Sequence, residues 1–161
     1  MKQQIIECVP NISEGRDLKK INTIANVVTE IEGVKLLDID PGKATNRTVI
    51  TFVGEPSQVI EAAFKLIKKA SELIDMSNQT GEHPRFGATD VCPLVPIANI
   101  SMDETANYAH LLGKRVGEEL GISHFIGIWE IKNQKMYRCH LISQPVTELD
   151  DTTESYHKVK V

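Results

Sequence analysis

Three polar loops hold the side chains best suited to chemistry: NISEGR (11–16), DPGKATNR (40–47) and QTGEHPRFGATD (79–90). Each mixes glycine with hydrogen-bond donors and acceptors, and loops at strand ends of a sheet converge at one rim and line a cleft. His83 is the leading acid–base group, because an imidazole titrating near ~6.5 takes and returns a proton around neutral pH. Pro84 restricts the residue before it to extended conformations and so limits the directions open to that ring. Taken alone, a histidine in a surface loop is unremarkable in chemical terms. Asp38 and Asp40 are expected on opposite faces of a strand over 34–40, one of them toward the cleft, where a carboxylate orients an imidazole and stabilises its charged form. Read from the residues alone, a turn-forming or capping role before Pro41–Gly42 accounts for both more simply. Arg47 and Arg85 offer paired N–H donors to substrate carboxylates, or else form surface ion pairs worth little. Asn11 and Asn46 are candidate substrate-binding donors, or residues that tolerate left-handed turn geometry.

Other chemistries find little support. No HxH or HExxH spacing occurs, so no metal is expected, and neither GxGxxG nor GxxxxGK[ST] occurs, which removes the usual nucleotide signatures. Cys8, Cys92 and Cys139 are an odd number without CxxC spacing, so neither a disulfide framework nor a zinc knuckle is indicated and a cytoplasmic setting with reduced thiols is expected. Cys8 and Cys92 read as small hydrophobes in buried strands, and His110 as a packed or interfacial residue near the buried stripe of a helix. Eighteen Lys+Arg against 22 Asp+Glu give a charge of −4, which argues against a nucleic-acid partner. No apolar run approaches the roughly 20 residues that cross a bilayer, and the N-terminus has no secretory pattern, so no membrane association is expected.

The elements that position these loops follow from periodicity. With 161 residues, 41% of them hydrophobic, the chain fits one compact domain. Residues 4–9 read as a buried strand ended by Pro10. Asp17 caps a helix whose stripe is Leu18, Ile21, Ile24, Ala25, Val28 and Ile31, and Gly33 stops it. Strands follow over 34–40 and 47–53, with a turn-rich loop over 41–46 between them. A second helix starts near Pro56. The polar stretch 76–90 is longer than an ordinary connection, and loops of that length are often functional. Strand 91–97 contains Pro93 and Pro96, which push it toward an edge or a bulge. Ser101 and Glu104 form a capping box that opens a third helix, ended by Gly121. Strands over 124–132 and 135–143 complete residues 1–144, and 145–161 read as a mobile tail. The order predicts an α+β fold: a ferredoxin-like βαββαβ core extended by a further αβ, with helices on one face of a mixed, mostly antiparallel sheet. Strands such as IIECV and RTVITFV are apolar on both faces, so the face away from the helices calls for a cover.

At these loops the sequence resembles the formiminotransferase family, in particular its N-terminal sub-domain. The resemblance rests on ECVPNISEG (7–15), LLDIDPGKATNRTVITFVG (36–54) and LIDMSNQTGEHPRFGATDVCPLVP (73–96), and runs over about residues 4–122, with divergence from about 123. It implies transfer of a formimino group from N-formimino-L-glutamate to tetrahydrofolate, a step of histidine degradation, with folate as co-substrate and no metal. It makes His83, within GEHPR, the counterpart of the family's catalytic histidine, and Asp40, within LLDxD, its assistant. The donor and the folate tail both carry carboxylates, which gives Arg47 and Arg85 plausible work on substrate. The family's transferase unit has two similar sub-domains with folate between them, so a homo-oligomer or a chain supplying the second sub-domain is the expected partner. The alternative is a folate-binding or partner-binding sub-domain without catalysis.

Overall fold

The computed structural model describes residues 2–82, 86–131 and 134–142. Its central strand comes in two pieces, β1 (Ile5–Cys8) and β2 (Asn11–Ile12), along which Ile6, Cys8 and Ile12 are fully buried. Pro10 lies between the pieces and lacks an N–H. The ladder still passes through the gap, because the Ile50 N–H donates to the Pro10 carbonyl at 2.9 Å and the Val9 N–H to the Pro93 carbonyl at 3.1 Å. The remaining elements are α1 (Leu18–Thr29), β3 (Val34–Gly42), β4 (Arg47–Gly54), α2 (Pro56–Leu73), a 3₁₀ turn over Met76–Asn78, β5 (Thr89–Ala98), α3 (Met102–Leu120), β6 (Ser123–Ile131) and β7 (Gln134–Ile142).

Across the sheet the order is β3, β4, β1 with β2, β5, β7, β6. Among the described residues every strand pair is antiparallel. β1 and β3 therefore run parallel with β4 inserted between them, the arrangement a helical crossover such as α1 permits. The fold is α+β, as expected from the order of elements.

The three helices form one layer, with α2 packed between α1 and α3 and against β1, β4 and β5. Local signals set their ends. The Asp17 carboxylate accepts the Lys20 N–H at 3.1 Å to start α1, and Pro56 occupies the first turn of α2, where its missing N–H costs nothing. Both halves of the Ser101–Glu104 capping box are present, and Gly121 ends α3 at φ +66°. Beneath the helices the core joins Ile6, Cys8, Ile50, Phe52, Cys92 and Leu94 of the sheet to Ile21, Ile24, Val28, Val59, Leu66, Ile67, Leu112 and Val116. On the opposite face Val49, Thr51, Val53, Val91 and Val95 are half-buried, and Leu37 and Ile97, at register shifts of β3 and β5, are exposed.

Several details differ from the sequence reading. β5 is an interior strand, paired to β1 and β2 on one side and to β7 on the other. Of the two positions expected for its prolines, an edge or a bulge, the edge is not taken, while the register shifts beside Pro96; Pro93 keeps regular register with β7. β3 absorbs Pro41 and Gly42, which pair with Thr48 and Arg47. Leu18 and His110 are exposed, off the buried stripes of their helices. Asp38 and Asp40 do not face opposite ways. Two residues apart on a strand, they share a face, and Asp38 stands opposite Thr51 and Asp40 opposite Val49, on the side away from the helices.

Candidate active site

Because the strands are antiparallel, the end of β2, the β3–β4 turn and the start of β5 meet at one edge of the sheet, and the three polar loops come with them. Their closest approach is at Gly15. A Cβ there would lie 2.4 Å from the Gly42 carbonyl oxygen and 2.6 Å from the Arg47 nitrogen, so only glycine lets the first two loops touch backbone to backbone. Asn46 ties in the third. It adopts a left-handed backbone at φ +50° and is almost wholly buried. Its Oδ1 accepts the Gly15 N–H at 2.9 Å, and its Nδ2 donates to Gln79 Oε1 at 2.6 Å and to the Thr80 carbonyl at 3.1 Å. One carboxamide thus spans residues 15, 46 and 79–80, the left-handed geometry being one of the two roles the sequence left open for it.

Neighbouring contacts complete the closure. Ser13 donates its hydroxyl to the Gly87 carbonyl at 2.6 Å and its N–H to the Ala88 carbonyl at 2.8 Å. Thr48 donates its hydroxyl to the Glu14 carbonyl. The Glu82 N–H reaches the Ala44 carbonyl at 3.4 Å. Glu14 is buried, and its carboxylate accepts the N–H groups of Arg16 at 2.9 Å and Asp17 at 3.1 Å and faces Lys20 Nζ at 3.4 Å. Burial would raise its pKa, but the two backbone donors and the Lys20 ammonium together outweigh it and hold the carboxyl below its ordinary value.

On the face away from the helices the register builds one row across four strands: Asp40, Val49, Asn11 and Val91. Arg47, two residues before Val49, joins that face in the next row. Its Nη2 donates to Asp90 Oδ2 at 2.8 Å and to Asn11 Oδ1 at 3.2 Å, while Asn11 Nδ2 donates to the Val9 carbonyl at 3.1 Å. The second Asp90 oxygen accepts the Phe86 N–H at 2.8 Å. Asp38 and Asp40 are exposed on this same face.

Of the sequence candidates, Asn11, Asn46, Arg47 and Asp40 are thus gathered at one rim. His83 and Arg85 lie outside the described residues. Sequence reasoning missed Ser13, Glu14, Gly15, Gln79 and Asp90. The first three sit inside a loop it singled out, but nothing local marks a glutamate for burial. Asp90 ends a polar loop in the sequence, whereas the structure makes it the second residue of β5, the strand that closes the site.

A charged, hydrogen-bonded face at the meeting of three loops can bind and orient polar groups. The comparisons with known proteins agree with a transferase ancestry. The family model for the formiminotransferase domain, N-terminal subdomain, matches residues 5–145. The chain is 47% identical over 138 residues to a formimidoyltransferase-cyclodeaminase of Dictyostelium discoideum, a match covering 86% of this chain and 25% of the relative. It is 50% identical over 123 residues to the Gallus gallus protein of that name, covering 76% and 23%. It is 49% identical over 122 residues to a glutamate formimidoyltransferase of Thermoplasma acidophilum, covering 76% and 40%. The chain therefore spans 23% to 40% of the length of these relatives.

Proposed function

The chain belongs to the formiminotransferase family, matching its N-terminal subdomain, and from that premise we propose that it transfers the formimino group of N-formimino-L-glutamate to tetrahydrofolate. Tetrahydrofolate is the co-substrate. Its N5 attacks the formimino carbon, and as the N5–C bond forms the N5 proton passes to the His83 imidazole. The tetrahedral intermediate then collapses, the bond from that carbon to the glutamate nitrogen breaks, and the nitrogen takes the proton back from His83. The products are 5-formiminotetrahydrofolate and L-glutamate. Asp40 stabilises the imidazolium while it carries the proton. Arg47, with Asn11 beside it, and Arg85 hold substrate carboxylates, and Asn46 keeps the three loops together beneath them.

The observation that carries this reading is the shared face: Asp40 and Asn11 occupy one row of the sheet with Arg47 in the next, at the rim where the GEHPR-bearing loop begins and ends. The uncovered face is where a second sub-domain, contributed by a longer chain, a partner or a second copy, would close the cleft over folate.

The test is the formation of 5-formiminotetrahydrofolate from the two substrates by the wild type and by His83→Ala, beside calorimetry with a folate analogue. A loss of about 10²-fold or more in kcat on removing the imidazole is expected. Equal turnover by the two proteins removes His83 from the mechanism. Folate binding without turnover in the wild type replaces the transferase with a folate-binding sub-domain.

A further inference from the structure

Asp90 is a buried carboxylate that the reading above leaves without a role, and its placement depends on an irregularity in the sheet. Between β2 and β5 the register shifts: Asn11 pairs with Val91, but Ile12 pairs with Thr89, so Asp90 is the extra residue of a β-bulge. In a regular strand it would face the helices, as its neighbour at two residues' distance, Cys92, does. A bulge re-aims the side chain it carries, and here the carboxylate meets Arg47, a residue of the opposite face. The pair spans the short strand β2, with Arg47 at the start of β4 and Asp90 at the start of β5. Both partners are well covered: the Arg47 side chain is 11% exposed and the Asp90 side chain 4%. A pair so dehydrated is a weak source of stability, because lost hydration offsets most of its attraction. What it does supply is direction. One Asp90 oxygen and Asn11 Oδ1 both accept from Arg47 Nη2, and the other Asp90 oxygen accepts the Phe86 N–H.

We propose that Asp90 is a positioning residue, which sets the orientation of the Arg47 guanidinium so that it receives a substrate carboxylate on the open face of the sheet. The proposal deepens the transferase reading and rests on it. It acts on binding rather than on the proton transfer. Asp90→Asn is the suitable variant, because the amide keeps an oxygen for the Phe86 N–H and removes the charge that holds Arg47. The KM for formiminoglutamate is measured with folate saturating, and that for tetrahydrofolate with formiminoglutamate saturating, which identifies whose carboxylate Arg47 receives. The expected result is a rise of about tenfold in one of the two KM values with kcat within about twofold of the wild type.

Two further measurements separate orientation from general support. Exchange of the Arg47 guanidinium protons, followed by NMR, is expected to accelerate at least about tenfold in Asp90→Asn. In a double-mutant cycle with Arg47→Lys, Asp90→Asn is expected to add nothing further to KM, since the group it positions is gone. Unchanged KM values in Asp90→Asn, unchanged exchange, or fully additive effects in the cycle each overturn the proposal. If Arg47→Lys raises KM and Asp90→Asn does not, the transferase reading stands and the positioning role alone falls. If the wild type neither binds nor converts these substrates, the transferase reading falls and takes the proposal with it.

Discussion

The helical layer and the loop rim belong to the same sheet and are held by different means. Under the helices, side chains such as Phe52, Ile24 and Leu66 are fully buried and carry no polar group, so their contribution follows from area removed from water and tolerates a repacked neighbour. At the rim the buried residues are Ser13, Glu14, Asn46, Thr48, Thr89 and Asp90; Ser13, Asn46 and Thr48 bond backbone atoms of another loop, while Glu14 and Asp90 each accept from backbone N–H groups of their own loop and face a basic side chain. The first kind of packing supplies stability through many small terms. The second supplies position through a few that are not interchangeable, which is what a site needs and a core does not.

The largest test of that contrast compares two glycines. Gly15→Ala places a methyl group 2.4 Å from the Gly42 carbonyl oxygen, against backbone that no rotamer change relieves, so the first two loops must part. A loss of about 3 kcal/mol or more is expected by urea denaturation, as for other overpacked buried sites. Gly121→Ala, at the end of α3, meets nothing within 4 Å and suffers only from its φ of +66°, which costs about 1 kcal/mol. Similar midpoints for the two variants would mean that the rim yields as readily as a helix end.

A smaller effect is expected at Glu14, and it depends on pH. Its pKa in the folded chain lies below the ordinary 4.5. A depressed folded value means that the unfolded chain binds the proton more readily, so the carboxylate's contribution is complete above about pH 4.5 and is lost as pH falls through the folded value. Glu14→Gln keeps an oxygen for the Arg16 and Asp17 N–H groups and removes the charge. It is expected to lose about 1–2 kcal/mol at pH 7, and the gap to the wild type should close on acidification. A gap that is constant from pH 7 downward would show that the charge contributes nothing and that shape alone holds the loop.

The same division explains what was legible in the sequence. The helices announce themselves within four residues: Asp17 before its stripe, Pro56 at a first turn, Ser101 with Glu104, and Gly121 at the stop. The α+β class followed from the order of strands and helices along the chain. At the rim, residue type sufficed to pick Asn11, Asn46 and Arg47 out of glycine-bearing loops. It could not find Asp90, because that residue's charged partner, Arg47, is far away in sequence, and because the carboxylate reaches it through a bulge that exists only once β2 and β5 have paired. Glu14 was hidden for a related reason: a charged residue in a polar loop reads as exposed until the loop is folded under its neighbours. Asp38 and Asp40 share a face rather than opposing ones because side chains two apart on a regular stretch of strand point the same way.

The smallest effect is expected on the helical side, where charge is present without burial. Arg115 on α3 donates to Glu61 of α2 at 2.7 Å and to Glu119 at 2.8 Å, and its guanidinium lies 3.9 Å from the centre of the Phe64 ring. The geometry resembles that of Arg47 and Asp90, yet here the partners are 35% and 39% exposed, against 11% and 4% at the rim. Water and salt therefore screen the pair, and ion pairs in that setting are worth about 0.2–1 kcal/mol. Arg115→Met keeps the aliphatic cover over Phe64 and removes the charge, so a loss of no more than about 0.5–1 kcal/mol is expected, including the cation–π contact. The loss should shrink as ionic strength rises toward about 1 M, where the screening length falls to roughly 3 Å. A loss of several kcal/mol that salt does not alter would place Arg115 among the positioning contacts, and the difference between the two regions would then lie in which residues are buried and not in how charge is used.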